Sequence, residues 1–314
     1  MHLEATQPVS ALAASPNIER CVELPTLGVA LVTHGGFLVL TVLFRELPIL
    51  VSAPLGALLL AWYGSLQHET IHGHPTSSRR FNRMLGALPL SLWIPYALYR
   101  ETHLRHHRHS GRYLTEAGHD PESFYLPAGT MSKAGGVRRW IYAANCTLAG
   151  RIVLGPAIAI MTFWAGELRK MVKGDRRRLR IWAGHALGVG LVLAWTVGVC
   201  HIPLIVYFAL LVYPSVALTH LRSFAEHHAD VDSRLRTRVV EAHPLWALIF
   251  LNNNLHIAHH VNPKLPWYRL PGAWRQMRRA AQAQAQGLVF EGGYREVTQK
   301  YLFRGFISLD EDGS

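Results

Sequence analysis

Nineteen histidines in 314 residues is a high count, and their grouping says more than their number. Most fall in four short segments: HETIHGH (68–74), HLRHHRH (103–109), HLRSFAEHH (220–228) and HIAHH (256–260). A helix turns about 100° per residue, so positions i and i+4 share a face. His68 and His72 are therefore neighbours, His103 with His106 and His107 forms one arc, and His256 with His259 and His260 repeats it. His227 adds a ninth ring, with His220 two turns earlier on the same face. Packed together without a cation, so many imidazoles would repel when protonated and leave lone pairs unpartnered when neutral. The pattern predicts metal binding.

Single histidines carry no such signal. His34, His185, His201 and His243 read as interfacial hydrogen-bonders, and His2 as part of a tail. Imidazole suits zinc, copper, iron and nickel. One tetrahedral zinc takes four ligands, so nine histidines fit two ions of higher coordination number better. A pair of irons fits best, because iron also brings oxygen chemistry. The clusters lack the thiolates and thioethers of a copper(I) site. Cys21, Cys146 and Cys200 are too few and scattered for a disulfide framework, and no role is assigned to them.

Something must hold these segments side by side, and the composition says what. The chain is 50% hydrophobic and 17% charged, and residues 27–44, 47–66, 181–200 and 202–218 contain no Asp, Glu, Lys or Arg. Each reaches the length of about 17–25 apolar residues that a membrane-crossing helix needs. The expected fold is all-α and multi-pass: four transmembrane helices in two hairpins, turning at Arg45-Glu46 and around His201-Ile202-Pro203. Residues 84–99 and 141–164 are also apolar but are broken by Pro89, Pro95 and Gly155-Pro156, which suggests re-entrant or interfacial helices.

Each histidine segment follows an apolar stretch. Residues 166–180 hold seven basic and two acidic side chains and belong on the cytoplasmic side, so the histidines form a cytoplasmic cap. The domain plan is a tail (1–26), a membrane domain (27–270) and a cytoplasmic C-terminal extension (271–314). The N-terminus lacks a signal-peptide pattern. The net charge of +12 borders hydrophobic segments and accompanies no nucleic-acid module, so anionic headgroups are the simpler partner. A metal transporter or store would place ligands within the spans. Only His34 and His185 lie there, which disfavours that reading.

HETIH, HLRHH and HIAHH resemble the three histidine boxes of the membrane fatty acid desaturase and hydroxylase superfamily, and the similarity runs from about residue 47 to GYREVTQKYLF near the C-terminus. The resemblance implies a non-haem di-iron centre that uses O2 and two external electrons to attack an unactivated C–H bond of a membrane lipid or acyl chain. It implies His68, His72, His103, His106, His107, His256, His259 and His260 as ligands, with His227, less surely His228, from FAEHH. Asn253 or Asn254 would hold a metal-bound water. Asp120, Glu122 and Glu226 would either orient imidazole N–H groups or pair with nearby arginines.

No cytochrome b5 signature is fused to the chain. Electrons would come from a separate carrier, a ferredoxin or a cytochrome b5-like protein. The basic segments 169–180 and 234–238 either dock that carrier or form a solvated cytoplasmic face. The expected activity is acyl-lipid desaturation. A hydroxylase of an acyl chain or polar lipid is the alternative, with a carotenoid ketolase or hydroxylase third. The expected location is a membrane, the inner one in a bacterium.

Overall fold

Proline is tolerated in the first turn of a helix, where its missing N–H has no intrahelical partner to lose. Pro25 uses that tolerance at the start of α1 (Leu24–Val42). The protein is described from a computed structural model covering residues 22–108, 113–127, 129–131, 133–230, 232, 235–284 and 287–306. Most of the expected N-terminal tail, with His2, lies outside the described residues, as do His109 and Arg234.

The chain continues through α2 (Ile49–His72), α3 (Arg79–Ala87), α4 (Tyr96–Arg108), α5 (Gly136–Asn145), α6 (Leu148–Val153) and α7 (Gly155–Val172). Pro89 and Pro95 fall in the irregular segment between α3 and α4, and Pro156 sits in the first turn of α7. The breaks expected from these prolines are therefore present. α8 (Arg176–Leu193) runs on through a π-helical stretch, Ala194–Val199. α9 (Leu204–Val206) passes through a second one, Tyr207–Val212, into α10 (Tyr213–Glu226). Short helices α11 (Pro244–Ile249) and α12 (His256–Val261) lead to α13 (Leu270–Gln284) and α14 (Gly293–Tyr301). The strands β1 (Val239–Val240) and β2 (Val289–Phe290) pair in parallel.

Four helical segments are long and apolar enough to cross a bilayer: Leu24–Val42, Ile49–His72, Arg176–Val199 and Leu204–Glu226. Many of their leucines and isoleucines face outward, Leu31, Leu50, Leu187 and Ile205 among them. Such surface is costly in water and suits lipid. The helices overrun the apolar stretches seen in the sequence. α2 continues to His72 and α10 to Glu226, so each carries polar side chains straight from an apolar helix to the histidine clusters.

Close packing fixes where those ends meet. A Cβ on Gly56 of α2 would lie 2.5 Å from Leu211 Cγ, so only glycine lets the helix containing Leu211 approach this closely. Leu60, Tyr63, Leu66, Tyr207, Leu211 and Leu251 share the core beneath the clusters. A second core joins Phe224 of α10 to Phe250, Phe290, Tyr294 and Val297. A third packs Leu255, Ile257 and Ala258 around the last box against Leu270, Trp274, Met277 and Ala281 of α13.

Candidate metal centre

The three boxes converge. The ligating-type atoms of His68, His72, His103, His107 and His259 all lie within 4.8 Å of one another, and so do those of His106, His227, His256 and His260. All nine histidines singled out in the sequence fall in one or other group. Within helices the spacing works as expected: His68 and His72 share a face of α2, and His103, His106 and His107 come from the last turns of α4. His227 is the residue at which α10 gives way to extended backbone. α12 supplies His259 to the first group and His256 and His260 to the second.

The two groups adjoin. His106 Nε2 and His260 Nε2 are 3.3 Å apart within the second group, while the rings of His107 and His260 stack across the divide with centroids 4.4 Å apart.

The outward ring nitrogens explain the orientation. A carboxylate or carbonyl oxygen only accepts, so the imidazole nitrogen facing it must donate. The Nδ1–H of His106 donates to Asp120 at 2.9 Å, and that of His103 to Glu122 at 3.0 Å. His227 Nδ1 donates to the backbone carbonyl of Arg236 at 3.3 Å, and His256 Nδ1 to the Asn253 side-chain oxygen at 3.1 Å. In all four rings the proton is on Nδ1, leaving a bare lone pair on Nε2. Yet the Nε2 atoms of His227 and His256 face each other at 3.0 Å. Further Nε2 pairs stand at 2.9 Å (His72–His103), 3.1 Å (His103–His107) and 3.1 Å (His107–His259).

At His227 and His256, whose Nδ1 protons are both committed, facing lone pairs at this separation need a cation between them. A proton is a poor candidate. Burial, then the neighbouring His103 and His106, pushes the His107 imidazole down to about 2. Burial and His106 bring His227 to about 3. Burial, followed by the surrounding histidines, also holds His256, His259 and His260 well below the usual range. His106 differs: burial would lower it, but Glu122 and Asp120 together raise it. Metal–nitrogen bonds of about 2.1 Å put neighbouring ligand nitrogens about 3.0 Å apart at right angles and about 3.4 Å apart in a tetrahedron. The separations of 2.9–3.1 Å fit the right-angled case of octahedral or square-planar coordination, and the 3.3 Å between His106 and His260 is nearer the tetrahedral one.

The carboxylates divide their work. Asp120 also accepts from the backbone N–H groups of Thr115 and Glu122, which fixes it beneath His106. The histidines hold Glu122 well below the usual carboxylate range, although burial alone would raise it. Glu226 stands 3.4 Å from Arg222 and 3.7 Å from His256 Nδ1, touching both the arginine and the cluster.

The asparagine run has three separate uses. Asn252 takes a positive φ of 55° and donates to the Trp267 carbonyl. Asn253 accepts from His256 and directs its amide N–H at His68 Nε2, 3.4 Å away, so it links the two groups. Asn254 donates to the Val240 carbonyl at 2.8 Å.

Several histidines stay apart. His220 lines a cavity below the centre, and the ring of His228 lies against Phe306. His34 and His185 bond backbone carbonyls of Ala30 and Leu92. Sequence reasoning missed the Arg236 carbonyl and the Tyr125 hydroxyl, which donates to the His227 carbonyl at 3.1 Å. Neither has a spacing signal, since one is backbone and the other lies 102 residues from its partner.

A cavity of about 810 Å³ adjoins the centre. Its wall includes Glu122, Tyr99 and Arg222 near the histidines, and Leu60, Tyr63, Trp93, Ile158 and Phe163 farther off.

The chain matches the fatty acid desaturase family over residues 47–291, a stretch that contains all nine histidines, and it belongs to that family. No curated protein matches it. With its four apolar helices it is an integral membrane protein, and with its histidine groups a lipid oxidoreductase of the desaturase or hydroxylase type.

Proposed function

We propose that the protein is an acyl-lipid desaturase whose nine histidines hold two iron ions. The observation that carries this reading is the meeting of His227 and His256, two lone pairs at 3.0 Å with both protons committed elsewhere. His68, His72, His103, His107 and His259 would hold one ion, and His106, His227, His256 and His260 the other. The iron pair, when bound, supplies the reduction of O2 needed to attack an unactivated C–H bond.

The chain's own residues do the rest. Asp120, Glu122, Asn253 and the Arg236 carbonyl hold the Nδ1 protons of His106, His103, His256 and His227, which aims those four Nε2 atoms inward and raises their basicity. The cavity would seat an acyl chain along Leu60, Ile158 and Phe163 with its reacting carbon near Glu122, and its apolar wall keeps water from the reaction. The four spans form two hairpins with the histidines on the cytoplasmic side, where a ferredoxin or cytochrome b5-like carrier delivers electrons. Not all of the basic face is free to receive it: Arg177 and Arg178 both pair with Glu101, and Arg178 also with Glu167.

Two measurements test the proposal together. The purified protein should hold about two irons per chain, and lipids from cells expressing it should include species lighter by two hydrogens. Zinc as the only metal would overturn the di-iron assignment. A gain of one oxygen instead would make it a hydroxylase.

A further inference from the structure

The cavity wall has three residues that are charged whatever the pH near neutrality: Glu122, Arg151 and Arg222. Two have partners. Glu122 accepts from His103, and Arg222 stands beside Glu226. Arg151 is different. It is 7% exposed, its guanidinium Nε is buried with no hydrogen-bond acceptor, and among the described residues it forms no ion pair with a carboxylate. It stands over the Phe124 ring, with the guanidinium carbon 4.0 Å from the ring centre. Phe124 fixes the plane of the guanidinium by a cation–π contact and leaves its N–H edges unspent.

A buried charge without a partner is expensive, and proteins rarely keep one that nothing uses. The cost is visible here: burial lowers the Arg151 guanidinium to about 10, with only Tyr125 and Cys146 acting against it. At neutral pH it remains a cation. A planar fork of N–H donors matches a carboxylate or phosphate. Arg151 also lies at a defined depth. A Cβ on Gly155 would touch both its side chain and the ring of His220, and His220 precedes His227 by two helical turns, about 10 Å.

We propose that Arg151 binds the anionic headgroup of a single-chain lipid, a carboxylate or a phosphate, while the chain fills the apolar remainder of the cavity. The volume of about 810 Å³ suits one small amphiphile. The inference rests on reading the cavity as the seat of the substrate, and it makes Arg151 the residue that selects acidic over neutral lipids.

The test uses the full-length protein in a non-ionic detergent and measures displacement of a neutral fluorescent fatty alcohol. Hexadecanoate, hexadecyl phosphate and hexadecan-1-ol, which share a chain length, are compared at pH 8. At least one acid should bind wild type roughly tenfold or more tightly than the alcohol, the range for a hydrogen bond to a charged group. The stronger acid identifies carboxylate or phosphate as the headgroup. Arg151→Gln and Arg151→Met, the latter keeping an apolar stem against Phe124, should bind acids and alcohol alike. Arg151→Lys should keep part of the preference. Equal binding of acids and alcohol by wild type would overturn the proposal, as would a preference that survives loss of the cation. So would a Gln or Met variant in which acid and alcohol binding fall together. Displacement needs neither metal nor turnover, so a chain without iron or oxidised product would refute the desaturase reading while leaving this result to stand.

Discussion

His103 Nδ1 lies 3.0 Å from one oxygen of Glu122 and 3.2 Å from the other, and the same carboxylate forms part of the cavity wall. Glu122 therefore touches the centre and the space beside it at once. Partners that orient a metal-bound imidazole typically change affinity by about 10–100-fold. Glu122→Ala should weaken iron binding by about that factor, and Glu122→Gln by less, because its amide oxygen still accepts from Nδ1–H. Titration with ferrous iron under anaerobic conditions measures both. Unchanged affinity in the Ala variant would show that His103 needs no such support.

Each group loses a nitrogen when one of its rings is removed. His256→Ala and His107→Ala should each lower bound iron by at least one ion per chain and abolish lipid oxidation. His34→Ala, whose ring bonds the Ala30 carbonyl of its own helix and packs edge-on against Tyr63, should change neither. Metal analysis and lipid mass spectrometry on the three variants check this, and full activity without His107 would remove that residue from the centre.

Acid should release the metal and weaken the fold together. His107 and His227 fall from an ordinary value of 6.5 to about 2 and about 3. Above about pH 6.5 neither the folded nor the unfolded chain protonates these rings, and their full contribution to stability is present. As the pH falls below that value the unfolded chain takes up protons that the folded chain refuses, so stability declines down to about pH 3. His256, His259 and His260 shift the same way, which outweighs the opposite tendency of His106. Bound metal should follow, because protonated imidazole cannot ligate. Thermal midpoint and metal content should be level between pH 7 and 8 and fall through the acid range. A midpoint that rises on acidification would contradict this account.

Much of the centre was legible in the sequence because helical spacing is a local code. His68 and His72 on α2, and the triplets on α4 and α12, stand on common faces as their intervals require. The apolar stretches likewise announced four long helices. The division of the rings into two groups was not legible. It sends His107 one way and His106 the other, and α12 feeds both, which depends on how helices cross rather than on spacing. The direct contacts of the asparagines also escaped: Asn253 bonds His256 and His68, and Asn254 bonds the Val240 carbonyl, pairings that no interval announces. Arg151 looked like any basic residue beside a glycine, because its isolation appears only when the surrounding chain has folded.

One last consequence follows from α12, which serves both groups. His259 completes the first and His256 with His260 the second, so the first lacks a member until the ribosome has made residue 259 and the second until it has made residue 260. A nascent chain cannot complete either group early. On the di-iron reading, metallation would be a late step of biogenesis, and polypeptides that stall after the second box would carry their first five box histidines without the partners the third box supplies.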